Sequence, residues 1–171
     1  MEIERKFLLK KIPEHLDQFA FHIIEQAYLN TSPVIRIRKE DDHFYLTYKG
    51  SGLLAREEYN LPLNEASYQH LLPKSDGNVI SKKRYLIPLS ETEINSDCLI
   101  LLNGTRLVVE LDEFAAPFAP LLLAEIEFPS VEAAEAFELL PWFSEDVTSD
   151  SRYHNSHMSR LDFSIKKADT E

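Results

Sequence analysis

Segment after segment of this sequence places its charges on one face of an extended chain and its aliphatic residues on the other. From Met1 to Leu9 the even positions are Glu2, Glu4 and Lys6, while Ile3, Phe7 and Leu9 take the opposite face. Arg36 and Arg38 share a face on which Val34 is the apolar member, and Lys49 lies on the face of Thr47. Arg56, Glu58 and Asn60 follow at the same spacing, then Lys82 and Arg84, Glu110 and Asp112, and Glu125 and Glu127. Behind the last pair stand Leu122, Ala124, Ile126 and Phe128. Residues two apart on a strand lie roughly 6.6–6.8 Å apart on one face. At that separation and an effective dielectric near 20, two like charges repel by about 2.5 kcal/mol. One charged stripe is ordinarily a solvated face. Repeated over so many strands, it calls for counter-charges close by. The cations Lys6, Arg36, Arg38, Lys49, Arg56, Lys82 and Arg84 are matched by the anions Glu2, Glu4, Glu58, Glu110, Asp112, Glu125 and Glu127. A closed sheet would gather both sets in one lumen and turn the apolar faces outward.

Turn signals divide the chain into strands near 2–10, 34–39, 43–49, 54–62, 79–87, 97–102, 106–113 and 122–128. They include Asn30-Thr31-Ser32-Pro33, Gly50-Ser51-Gly52 and Asp76-Gly77-Asn78. Asn103-Gly104 reads as a primed hairpin turn between two of these strands. Helical periodicity is expected over 64–72 and 130–139, with short helices at 13–19 and 150–160. Several antiparallel strands with few helices suggest an all-β barrel or an α+β, mainly β, fold built on one: an antiparallel barrel of about eight strands with a charged lumen and a few flanking helices.

With 171 residues, 44% hydrophobic and 27% charged, the chain has the size and balance of one globular domain. A net charge of −11 argues against nucleic acid and anionic membranes as partners. The longest apolar runs are too short to span a bilayer. The single Cys98 allows no internal disulfide, and the N-terminus lacks a secretory pattern; both fit a cytoplasmic protein. Clustered carboxylates without cysteine suit a hard cation such as Mg²⁺ or Mn²⁺. Facing arginines and lysines suit phosphate oxygens. Together they describe a polyphosphate held between cations and metal. There is no glycine-rich phosphate loop, Cys98 reads as a packed small residue, and His154 and His157 read as members of a solvated helix face.

Glu2-Ile3-Glu4-Arg5-Lys6-Phe7-Leu8 resembles the E-x-E-x-K signature of the CYTH superfamily, the triphosphate tunnel metalloenzymes. The resemblance continues in order. Arg36-Ile37-Arg38 is similar to the family's R-x-R strand, Lys49-Gly50 to its strand-end lysine, and Arg56-Glu57-Glu58 to its R-x-E strand. Lys82-Lys83-Arg84-Tyr85 resembles its K-x-R-Y strand. Glu110-Leu111-Asp112 and Glu125-Ile126-Glu127 resemble its acidic strands, and Glu145 to Tyr153 the start of its C-terminal helix. Asn60 departs from a glutamate frequent in the family, and Asp146 interrupts an E-V-T.

The resemblance implies an eight-stranded tunnel and a single domain over 1–171. It implies metal held by Glu2, Glu4, Glu110, Asp112, Glu125 and Glu127. Phosphates would lie on Lys6, Arg36, Arg38, Lys49, Arg56, Lys82 and Arg84, with Glu4, Lys6, Arg38 and Lys82 acting at the reacting phosphorus. The expected activity is Mg²⁺- or Mn²⁺-dependent hydrolysis of a small linear triphosphate, foremost inorganic tripolyphosphate. Alternatives are a class IV-type adenylyl cyclase, a thiamine triphosphatase with Trp142 and Phe143 as a ring platform, and a non-catalytic polyphosphate- or nucleotide-binding module. An uncovered apolar outer wall would favour a homodimer.

Overall fold

The period-2 pattern that opens the chain forms β1 (Glu2–Leu9), with Phe7 fully buried on one side and Lys6 nearly so on the other. In the computed structural model, which describes residues 1–162, this strand is the seam of a rolled antiparallel sheet. The other strands are β2 (Phe21–Thr31), β3 (Val34–Glu40), β4 (His43–Lys49), β5 (Ala55–Arg56), β6 (Glu58–Leu63), β7 (Asp76–Pro88), β8 (Val108–Phe114), β9 (Leu122–Glu127) and β10 (Phe143–Asp146). Their order is β10-β1-β9-β8-β7-β2-β3-β4-β6. The sheet then returns to its start through β5, which pairs Glu2 with Arg56 and Ile3 with Ala55. Because β5 and β6 are two parts of one interrupted strand, the ring has eight positions and is nearly closed, as expected. β10 is an addition that shares an edge of β1 with β5.

The outer face carries the core. Phe7, Val109, Leu111, Ala124 and Ile126 pack beneath α2 (Ser96–Leu101) and α3 (Val131–Ala136), and Phe7 stacks on Phe143 with centroids 4.5 Å apart. On the other side α1 (Glu65–Leu71) lays Tyr68 over Ala27 and Ile37. Each large apolar side chain so buried contributes about 1.5–3 kcal/mol. Phe21, Ile23, Tyr59 and Leu61 remain exposed on this outer wall.

Several expectations change. Residues 97–102 form α2 rather than a strand: a short apolar run has no period of its own, and here Cys98 and Leu102 are buried on one helical face. Asn103-Gly104, at φ 48° and 84°, follows the end of that helix and makes no hairpin. Asp76-Gly77-Asn78 is not a turn but the start of β7. Gly77, at φ 72°, is required because a Cβ there would lie 2.1 Å from the Ser159 carbonyl oxygen. The helix expected at 13–19 is only the 3-10 turn Leu16–Gln18, and that at 150–160 is the turn Ser151–Tyr153 followed by α4 (Asn155–Met158). β2 and β10 answer to no expected strand. The single-domain reading extends over 163–171, which lie outside the described residues.

Five of the lumen-facing rows end in apolar residues at the same end of the barrel. Leu8 follows Lys6, Val34 precedes Arg36, Ile80 precedes Lys82, Phe114 follows Asp112, and Leu123 precedes Glu125. These side chains form one cluster with Val147, Tyr153 and Met158 of the C-terminal segment. The barrel is therefore stoppered at that end. Asn78 ties the stopper in place, its Nδ2 donating to the carbonyls of Ser159 at 3.1 Å and Leu161 at 2.7 Å.

Candidate functional site

Beyond the stopper the lumen opens as a cavity of about 310 Å³. All the expected metal and phosphate ligands line it except Lys82 and Asp112. Strand pairing explains the convergence: Glu4 sits opposite Glu127, Lys6 opposite Glu125, and Glu110 opposite Glu125 across the next pair. Lys82 and Asp112 lie one residue pair nearer the stopper, both side chains wholly shielded from solvent and bonded to each other.

Most cations are saturated by carboxylates. Lys6 Nζ donates to Glu4 Oε1 at 2.5 Å and also to Glu125. Arg84 spans Asp112 with Nε and Nη2, each at 2.7 Å, reaches Glu125 at 2.5 Å, and contacts Glu110. Lys49 bridges Glu2 and Glu58 at 2.7 Å each, and Arg56 Nε meets Glu2 at 3.0 Å. Arg36 is different. Its Nη2 donates to Thr47 Oγ1 at 3.1 Å, its buried Nε has no acceptor, and no carboxylate pairs with it among the described residues.

The proton affinities follow this division. Burial works against the charge on Lys6, but Glu125 and Glu4 override it and hold the ammonium above its ordinary range. Glu125, buried too, is kept well below the carboxylate range by Lys6 and Arg84. Burial opposes ionisation of Glu58, yet hydrogen bonding to Glu2 and the Lys49 ammonium bring it to about 2. Lys82 goes the other way: burial and the Arg84 cation outweigh Asp112 and push it down to about 8. Burial and Arg38 lower Arg36. Burial raises Glu110 despite Arg84, and raises Glu127 with help from Glu2, Glu110 and Glu4.

Among the described residues, no three His, Cys, Asp or Glu side chains already converge on a ligating point. The carboxylates are turned instead toward lysine and arginine. Their chemistry still fits a hard cation. Burial, with neighbouring carboxylates, holds Glu110 and Glu127 protonated longer than free carboxyls, and a cation placed among them would relieve both costs.

Several lining residues escape a reading of charge alone. His22, Tyr28, Glu40 and Tyr45 contribute from β2, β3 and β4, and His154, Asn155 and Ser156 enter from the stopper. His154 is buried rather than solvated, and its Nε2–H donates to the Thr148 carbonyl at 3.0 Å. His157 does remain exposed. Trp142 packs edge-on against the buried Phe143 at 4.5 Å and neither lines the cavity, so the two form no ring platform.

A stoppered antiparallel barrel with opposed rows of cations and carboxylates defines a polyanion-binding tunnel protein. The CYTH domain model matches residues 1–160, and the chain belongs to the CYTH family. It is 34% identical over 161 residues to an inorganic triphosphatase of Nitrosomonas europaea, covering 92% of this chain and 96% of that protein. It is 29% identical over 163 residues to an inorganic triphosphatase of Acetivibrio thermocellus, covering 92% of each. The crystal structure of the inorganic triphosphatase NE1496 superposes with a TM-score of 0.65 at 31% identity, covering 95% of this chain and 96% of that one.

Proposed function

We propose that this protein hydrolyses inorganic tripolyphosphate to phosphate and pyrophosphate with the help of Mg²⁺ or Mn²⁺. The observation that carries this reading is Arg36, a buried guanidinium with an unused Nε in a cavity most of whose cations lean on carboxylates. A buried cation left in that state costs several kcal/mol, and an anionic ligand offsets the cost. Arg36 and Arg38 would take phosphate oxygens in bidentate fashion, with Lys6, Lys49, Arg56 and Arg84 joining as their carboxylates turn to metal. Glu2, Glu4, Glu110, Glu125 and Glu127 would hold the cation. A bound divalent ion supplies charge neutralisation on the phosphates and a more acidic water. Asp112, engaged on both oxygens by Lys82 and Arg84, would support Arg84 from behind.

In the step itself a water oxygen forms a bond to a terminal phosphorus and the anhydride P–O bond breaks. Glu4 is bonded to Lys6 through Oε1, and its Oε2, which makes no hydrogen bond among the described residues, would receive the water's proton. Lys6 and Arg38 would stabilise charge on the leaving oxygen, and Lys82 would act indirectly through Asp112. The lining favours an inorganic substrate over a thiamine or adenine compound. Its aromatic rings are Tyr28, fully walled in, and Tyr45, whose hydroxyl donates to Glu40 at 2.6 Å. The reading includes a cytoplasmic location and no nucleic-acid or membrane partner.

The test is phosphate release from tripolyphosphate, thiamine triphosphate, ATP and pyrophosphate, each with Mg²⁺, Mn²⁺ or EDTA. The expected result is metal-dependent turnover greatest on tripolyphosphate and lost in Glu4→Gln. Cyclic AMP from ATP would make the protein a cyclase. Tight tripolyphosphate binding with no turnover would leave a binding module.

A further inference from the structure

The cavity holds its cations by two different kinds of partner. Lys6, Lys49, Arg56 and Arg84 rest on carboxylates, while the two arginines of β3 rest on neutral atoms. Arg36 leans on Thr47 Oγ1, which in turn donates to Asn60 Oδ1 at 2.7 Å. Arg38 directs Nε at 3.0 Å and Nη2 at 2.7 Å to a single atom, Oε1 of Gln26. Gln26 is fully buried and does not line the cavity; it reaches the lining through Arg38 and through a longer bond, Nε2 donating to the Tyr28 hydroxyl at 3.4 Å. Among the described residues the one carboxylate within ion-pair distance of either arginine is Glu40. It stands 3.6 Å from Arg38 Nη1 and already accepts from the Tyr45 hydroxyl.

A glutamate at position 26 would give Arg38 the same two hydrogen bonds, made stronger by charge. It would also cancel the guanidinium's charge at contact distance. A neutral amide fixes the fork and leaves the charge for something else. We propose that Gln26 is a positioning residue that keeps Arg38, together with Arg36, as a net-positive anchor able to hold a phosphate group without metal. Metal then matters on the opposite wall, where carboxylates are in excess. The inference rests on the proposed triphosphate function and deepens it by dividing anchoring from metal binding.

The test is calorimetric titration of tripolyphosphate into the full chain in EDTA, alongside thermal melts and steady-state kinetics in Mg²⁺. The wild type is expected to bind without metal, with affinity falling as salt rises. Gln26→Glu is expected to weaken that metal-free binding at least tenfold and to lower kcat/KM in Mg²⁺ by a similar factor, with Tm equal or higher. A merely structural role for Gln26 predicts unchanged binding in a variant that melts no lower. Should Gln26→Glu misfold, Asn60→Asp carries the same test to Arg36, and metal-free binding should again weaken. Wild-type affinity in the folded variant, or hydrolysis in Mg²⁺ with no metal-free binding by the wild type, overturns the anchor and leaves the triphosphatase reading intact. No binding and no turnover under any condition overturns both.

Discussion

The wall made by β2, β3 and β4 and the wall made by β1, β9 and β8 face each other across one cavity but are built on opposite rules. On the acidic wall, carboxylates outnumber what lysine and arginine can neutralise, and Glu127 has no cation of its own among the described residues. On the basic wall, two buried arginines are held by Gln26 and Thr47, with one rim carboxylate between them. A protein optimised only for stability would mix the signs. Here Arg36 and Arg38 on one wall and Glu127 on the other are left short of a counter-ion, and a metal triphosphate supplies both. Binding is expected to raise stability with the logarithm of ligand concentration.

The contrast can be broken most severely from the acidic side. Arg84 ties Asp112, Glu125 and Glu110 together, so Arg84→Met would leave buried carboxylates short of a partner. A loss of about 3 kcal/mol or more is expected in chemical denaturation. Arg36→Met should do the reverse to stability. It removes a buried cation that no carboxylate pairs among the described residues, so Tm should hold or rise, while tripolyphosphate affinity falls by about 1.5–3 kcal/mol, or roughly 10–150-fold. A melt that drops as far for Arg36→Met as for Arg84→Met would erase the distinction between the walls.

A smaller effect concerns pH. Lys82 has a folded value of about 8 against an ordinary 10.5. Folding therefore releases its proton between those values, and its contribution to stability increases as pH rises from 8 to 10.5. Melts at pH 7, 8, 9 and 10 should show wild type gaining on Lys82→Met as the pH climbs; a constant difference would contradict the shift. The smallest expected effect is at Glu127. Its raised value means that folding takes up protons above the ordinary carboxyl range, so its ionisation costs stability as pH rises past that point. At neutral pH and without metal, Glu127→Gln should raise stability by about 0.5 kcal/mol or less, since the group is partly solvated. The same variant should reduce the Tm gain that Mn²⁺ gives the wild type.

What could be read from the sequence was each row whose residues carry charge, Arg36 and Arg38 of β3 included. Glu2, Glu4, Lys6, Glu110, Asp112, Glu125 and Glu127 stand at period 2 in plain view, and the structure brings them to one lumen. β2 went unseen because its lumen row runs His22, Ile24, Gln26, Tyr28, a sequence of mixed chemistry with no repeating sign. Gln26, the holder of Arg38, was invisible for the same reason. The stopper was hidden because Val147, Tyr153 and Met158 are isolated apolar residues whose partners, such as Ile80 and Leu123, lie far away in sequence. The 97–102 run was misassigned because burial on a helix and burial in a strand leave the same unbroken apolar stretch. Like-charge periodicity survives translation from sequence to fold. Neutral hydrogen-bond holders do not.

The most direct test of the two-wall account is anomalous diffraction from crystals grown with Mn²⁺ and tripolyphosphate. The account predicts a manganese peak among Glu2, Glu4, Glu110, Glu125 and Glu127, with a phosphate group bound to Arg36 Nε and the Arg38 fork. Manganese at the β3 arginine side, or a triphosphate seated outside the cavity with Arg36 Nε still unbonded, would contradict it.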